Sequence, residues 1–257
     1  MDLSESTTLP QILSMLYDAL DVEPFDSGAN TKSLFAEIGH AVPSDTVRIY
    51  EAEDLIPELL DATANGMVVD IGCGKGASRA IFQEVAPRMN WLGLEVADTY
   101  NKPKVDQIRF FNGHEIPLES NSVDYCYSRQ VFEHVRQPEK LLSEIYRVLK
   151  KGGIFFGSVS GHEPYHFYSL FNFTPYGWYT ILNDAGFEVT RLLPGADGMA
   201  VALRHISENK KLFPGIFRGK SWIGDAIESK CSKESVQEKN TRLLIYAAHM
   251  SFVAEKG

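Results

Sequence analysis

The segment Met67-Val68-Val69-Asp70-Ile71, followed at once by Gly72-Cys73-Gly74-Lys75-Gly76, constrains this chain more than any other. A short apolar run rich in β-branched residues predicts a buried strand. A glycine cluster directly after it predicts a turn that only residues without a side chain enter cheaply. Ile81, Phe82 and Val85 then recur at helical spacing and stop near Pro87, so the unit reads strand, glycine loop, helix. Gly72-x-Gly74-x-x-Ala77 fits the fingerprint G-x-G-x-x-G/A, whose backbone approaches an adenosine-containing cofactor.

The same alternation continues downstream. Trp91–Val96, Ile108–Phe111, Val123–Tyr127, Ile154–Val159 and Phe187–Leu192 read as strands, and a last strand is expected within Leu244–Val253. Pro138 opens a helix with Leu141, Leu142, Ile145, Val148 and Leu149 on one face. Lys150 and Lys151 suit its negative end, and Gly152-Gly153 is expected to terminate it. Thr174 and Pro175 begin another helix that turns Trp178, Ile181, Leu182 and Ala185 inward and ends at Gly186. Strands alternating with helices predict a parallel sheet covered on both faces, with ligands beyond the carboxyl ends of its strands. Residues 9–20, 31–39 and 51–62 read as helices ahead of that sheet.

The acidic residues around the loop narrow the cofactor. Glu95, at the end of the second strand, can accept hydrogen bonds from ribose hydroxyls. Asp70 stands just before the loop, where a carboxylate would repel a pyrophosphate but suits a sulfonium and an ammonium group. Gly72, Gly74 and Gly76 leave room for a methionyl chain. These features favour S-adenosylmethionine over NAD.

The segments VVDIGCGKG, LGLEVA, NGHEIPLESNSVDYCYSRQVFEHV and LLSEIYRVLKKGG together resemble the class I S-adenosylmethionine-dependent methyltransferases, in particular the small-molecule branch that includes the ubiquinone and menaquinone biosynthesis enzymes. The resemblance runs over about residues 66–193. It implies an α/β fold with a Rossmann-like, seven-stranded, mostly parallel sheet, helices on both faces and an antiparallel last strand. It also implies one domain over 1–257, with a helical cover at 1–62, a core at 63–193, an insertion at 194–243 and the last strand in 244–257. Asp70, Gly72, Cys73, Gly74 and Gly76 would surround the methionyl group, with Glu95 on the ribose and Val96 against the adenine. Asn112 stands where the family usually has an aspartate, and Gly113 and His114 would follow the adenine edge. Ser128 and Arg129 would line the cofactor's open side, Arg129 serving either as a substrate anchor or as the partner of a surface acid.

A hydroxyl acceptor benefits from a general base. His134 after the fourth strand, and His162 and His166 after the fifth, are the candidates, each with a structural role as the alternative. Aromatic residues crowd the stretch from Tyr165 to Tyr179, among which Tyr165 and Tyr168 are candidates for an acceptor pocket and Trp178 for the core. Strands six and seven usually form a hairpin in this fold. Here about fifty residues separate them, either covering the active site, forming a homodimer contact or running over the surface.

The expected activity is methyl transfer to a small molecule, with oxygen as acceptor ahead of nitrogen or carbon. A non-catalytic cofactor-binding partner and an NAD-dependent enzyme are the alternatives. A net charge of -9 and the lack of an Asn-Pro-Pro-Tyr motif argue against nucleic acid as substrate. No apolar run reaches the roughly 20 residues of a membrane span. The start MDLSESTTLP lacks the basic and apolar regions of a secretory signal, and the three cysteines are far apart, so a reduced, cytoplasmic protein is expected.

One motif points elsewhere. His162-Glu163-Pro164-Tyr165-His166 fits the zinc-hydrolase pattern H-E-x-x-H. Pro164 between the histidines breaks the helix that would bring both to one ion, and no G-x-x-H follows. No metal is expected from this motif.

Overall fold

The computed structural model describes residues 28–96, 106–207, 217 and 222–257, so the predicted helix over 9–20 lies outside the described residues. Helix α1 (Gly28–Ile38) and short helix α2 (Leu55–Leu59) precede strand β1 (Asn65–Ile71). There follow α3 (Ser78–Val85), β2 (Arg88–Val96), β3 (Ile108–Phe111), β4 (Val123–Arg129), α4 (Pro138–Val148) and β5 (Leu149–Ser160). After α5 (Pro175–Asp184) and β6 (Phe187–Pro194) come α6 (Gly198–Ser207), α7 (Trp222–Lys230), α8 (Val236–Tyr246) and β7 (His249–Lys256).

The seven strands form one sheet in the order β3-β2-β1-β4-β5-β7-β6. Strands β1 to β5 pair in parallel, and β7 runs antiparallel between β5 and β6. Chain order reverses on either side of β1, which opens a crevice at the carboxyl ends of β1 and β4.

Strand residues alternate between two apolar layers, as a period of two requires. Val69, Ile71, Cys126 and Phe155 face one layer with Leu141, Leu142 and Ile145 of α4 and Trp178 and Leu182 of α5. Val68, Tyr127 and Phe156 face the other with Leu55 and Ile56 of α2 and Phe82 of α3. Trp178 anchors the first layer, its ring edge-on to Phe132, Phe173 and Phe252 at 5.0–5.1 Å. Burying an aromatic of this size contributes about 3 kcal/mol or more.

Two boundaries differ from the sequence expectation. Helix α4 stops at Val148, and Lys150 to Gly153 belong to β5 rather than to a helix end. Val123 pairs with Leu149 but Tyr125 pairs with Ile154, so the extra residues bulge outward. There Lys150 reaches the Asp124 carboxylate at 2.7 Å. The last strand starts at His249, and Leu244 lies in α8. Ahead of that strand, α7 ends at Lys230, and Ser235 caps α8 reciprocally with Glu238.

The segment between β6 and β7 is tied back to the chain ahead of the sheet. Asn240 Nδ2 donates to the carbonyls of Pro43 and Thr46, and Gln237 Nε2 donates to those of Gly39 and Val42. Cys73 and Cys126 are free thiols. Among the described residues, no helix is long and apolar enough to cross a membrane.

Candidate active site

The crevice at the strand ends holds a cavity of about 800 Å³. Its wall joins Gly72 and Gly74 of the glycine loop to Glu95 and Val96 after β2, and to Asn112, Gly113 and His114 after β3. Opposite them stand Gln130, Val131, His134, Val135 and Phe167.

Local chemistry explains the loop. Gly72, Gly74 and Gly76 all have positive φ, at 67°, 55° and 78°. The Gly72 and Cys73 N–H groups donate to the Leu94 carbonyl at 2.8 and 3.2 Å, locking the loop to the end of β2. Gly74 N–H donates to Glu95 Oε2 at 2.6 Å, and Val96 N–H to Oε1 at 2.9 Å. These bonds hold the carboxylate at the cavity wall, where its remaining lone pairs suit paired hydroxyls. Beneath the loop, Asp70 is buried and accepts a hydrogen bond from the Ser78 hydroxyl. Burial pushes its carboxyl up to about 7, against the lowering effect of Ser78. A cationic ligand nearby would favour its ionised form.

Several candidate residues occupy places the sequence did not foresee. Ser128 does not line the cavity: it is fully buried in β4, and Gln130 and Val131 take its place on the wall. Arg129 pairs with Glu53 at 2.6 Å and faces a separate cavity of about 330 Å³, shared with Glu51, Glu163 and His249. In that cavity burial opposes a charge on His249, but Glu51 at 3.2 Å, with Glu163 and the Tyr50 backbone, raises its pKa overall. Asn112 lines the main cavity, yet its Oδ1 accepts the N–H groups of His114 and Glu115 at 3.1 and 2.7 Å. Both lone pairs are thus engaged in bracing the turn rather than free for an adenine amine. Tyr165 and Tyr168 are 71% and 85% exposed and line neither cavity, whereas their neighbour Phe167 lines the main one.

The histidines divide. His162 is on a loop, its N–H bonded to the Ala247 carbonyl, away from the cavity wall. His166 instead meets residues distant in sequence. The Glu133 carbonyl accepts the Leu170 and Phe171 N–H groups at 2.6 and 3.2 Å, stitching the loop after β5 to the turn after β4. This brings the His166 and His134 rings edge-to-face with centroids 5.4 Å apart, and His166 Nε2 to 3.8 Å from Glu133 Oε1. Burial, then His166, lowers the pKa of His134 and keeps it neutral at ordinary pH. Glu133 is fully buried, and its pKa is raised mainly by that burial. With its NH2 turned toward the acids, Gln130 donates to Glu133 Oε1 at 2.7 Å and to Glu163 Oε2 at 3.1 Å. Gln130 holds this position at a φ of 53°, and Phe167 and Tyr168 are likewise left-handed, at 40° and 62°. Strained backbone therefore clusters around this corner of the cavity.

Gln130, Glu133 and Phe167 had no chemical motif to mark them. For the first two, position directly after a strand end was the available signal.

Comparison with known proteins agrees with this geometry. Residues 69–157 match a family described as methyltransferase domain. A protein of Mycolicibacterium smegmatis, described as a probable S-adenosylmethionine-dependent methyltransferase, is 37% identical over 92 residues, 34% of this chain and 35% of its own length. An uncharacterised methyltransferase of Mycobacterium leprae is 32% identical over 111 residues, 38% of this chain and 40% of its own length. The chain thus spans between a third and two fifths of these relatives. Among solved structures, a geranyl diphosphate methyltransferase in complex with GPP and sinefungin superposes with a TM-score of 0.53 at 14% identity, covering 80% of this chain and 76% of the other. An S-adenosylmethionine-dependent methyltransferase from Mesorhizobium loti gives 0.50 at 14% identity, covering 80% and 98%. At such identities the likeness is one of fold.

Proposed function

We propose that the chain is a class I S-adenosylmethionine-dependent methyltransferase, a reading that its match to a methyltransferase domain supports, and that it transfers the cofactor's methyl group to a hydroxyl of a small molecule. The observation that carries this reading is the main cavity itself. It places the glycine loop and Glu95 on one wall and the neutral His134 on the other. Asp70, Glu95 and the loop glycines hold the cofactor in this reading, and Val96 and Gly113 border its base.

Methyl transfer from a sulfonium is an in-line displacement. With the cofactor bound, an acceptor oxygen would form a bond to the methyl carbon as the carbon–sulfur bond breaks, sulfur keeping the electron pair. The hydroxyl proton must leave, and the cluster of His134, His166 and Glu133 is the proton acceptor we assign. General-base help of this kind contributes typically about 10²–10⁴-fold. Alignment of oxygen, carbon and sulfur contributes the rest.

The match to a methyltransferase family over 69–157, rather than an NAD-enzyme family, supports this reading over the oxidoreductase alternative. Calorimetric titration with S-adenosylhomocysteine, followed by a homocysteine-release screen of hydroxyl- and amine-bearing acceptors, tests it. Saturable cofactor binding with turnover of hydroxyl compounds is expected. A folded protein that binds no S-adenosylhomocysteine would sink the proposal, and turnover of amines alone would overturn the choice of oxygen.

A further inference from the structure

The corner formed by Glu133, His134 and His166 is built for more than a proton. One donor atom from each of the three lies within 4.8 Å of the others. Each histidine has one ring nitrogen committed and one bare. His166 Nδ1 faces the Pro164 carbonyl at 3.0 Å, which makes Nδ1 the N–H donor and leaves a lone pair on Nε2, the atom 3.8 Å from Glu133 Oε1. The His134 ring is bonded to the Tyr168 backbone, and its buried Nδ1 has no partner. Glu133 has no exposed surface, and its Oε2 also lacks a partner. One ring nitrogen of each histidine and a Glu133 carboxyl oxygen therefore converge.

That arrangement is what metal-ligating histidines need. A carbonyl on the far nitrogen fixes the tautomer and aims the other nitrogen at the ion. Two histidines and one carboxylate, with His134 on the cavity wall, leave a fourth position unfilled by protein, as a catalytic donor set does. Gln130 and Ser160 both donate to Oε1 of Glu133 and orient the carboxylate, while the Glu163 Oε2 lies beside the same two side chains. We propose that Glu133, His134 and His166 bind one divalent first-row transition ion of the zinc class. Mixed nitrogen and oxygen donors favour such ions over magnesium or calcium. Donors of a tetrahedral site at zinc distances lie about 3.4 Å apart, so the present spacings close by about an ångström on binding.

The inference deepens the reading above, since an ion there would take an acceptor hydroxyl as a further ligand. It would then promote loss of the proton by lowering the hydroxyl's pKa rather than by accepting the proton. The H-E-x-x-H motif thus contributes one of its two histidines to a different set of partners.

The test uses the full chain, stripped with a chelator and dialysed. Zinc chloride is titrated by calorimetry, and cobalt chloride by visible absorption as an independent readout of nitrogen ligation. One ion per chain is expected. His166→Ala and Glu133→Gln each weaken binding by at least about 100-fold, more than loss of an outer partner costs, while His205→Ala, at an exposed position of α6, changes nothing. Should Glu133→Gln not fold, His166→Ala decides alone. Absence of saturable binding by either ion, or binding that survives His166→Ala, overturns the site. S-adenosylhomocysteine titrated into the same samples separates the two proposals. Cofactor binding without metal defeats only the metal site, and metal binding without cofactor defeats only the methyl-transfer reading.

Discussion

Gly74 N–H donates to Oε2 of Glu95 across 2.6 Å, so the glycine loop after β1 and the acid after β2 form one rigid edge of the cavity. The loop orients the carboxylate before any ligand arrives, which reduces the ordering cost of binding.

Replacing Glu95 with alanine should therefore weaken S-adenosylhomocysteine binding by about 10–100-fold, the effect of losing hydrogen bonds to a charged group. Calorimetry reads this directly. An unchanged dissociation constant would remove Glu95 from the ribose role.

Asp70 supplies a pH signature. Its pKa in the folded chain, about 7, lies above the ordinary 3.8, so between these values the folded state holds a proton that the unfolded state has lost. The stability this contributes is fully present below 3.8 and is lost as pH rises through about 7. Asp70→Asn should flatten that decline in denaturant midpoints measured from pH 4 to 8. Affinity for cationic S-adenosylmethionine should run the opposite way in the parent protein, rising up to about tenfold from pH 6 to 8 as the carboxylate ionises. The variant should lose this rise, and a parent affinity that is flat with pH would count against the contact.

The loop glycines should not be equivalent. At Gly72, with a φ of 67°, a Cβ would collide with the Val131 side chain, whereas at Gly74, with a φ of 55°, it meets nothing within 4 Å. Gly74→Ala should cost about 1 kcal/mol of backbone strain. Gly72→Ala should cost about 2–3 kcal/mol, because the clash adds to the strain. Thermal melts of both variants check the order, and equal losses would contradict it.

Arg129→Ala should leave stability within about 1 kcal/mol, because the Arg129 side chain is half exposed. If Arg129 anchors an acceptor in the smaller cavity, KM should rise while S-adenosylhomocysteine affinity stays constant. Unchanged KM would assign it to the ion pair alone.

Much of this architecture is written locally. Val68 and Val69 face opposite layers because a strand has a period of two, and that alternation shows in the chain. Thr174 caps α5 by accepting the Gly177 N–H, a bond its position ahead of Pro175 foretells. The family resemblance puts Ser128 on the cavity wall, but β4 runs on to Arg129, so Ser128 is buried and Gln130 takes the wall position. The reach of β4 depends on its pairing with β5, a contact between distant residues.

The sequence by itself determined the strand–glycine loop–helix unit, the alternation that makes a parallel sheet, and the acids at the loop. Each rests on interactions between residues a few positions apart, where spacing and conformational preference decide. Only the tertiary structure decided that β7 slots between β5 and β6 and that His166 joins Glu133 and His134 rather than His162. Those outcomes come from hydrogen bonds and packing between segments about thirty or more residues apart, such as Leu170 N–H to the Glu133 carbonyl, which no local pattern encodes.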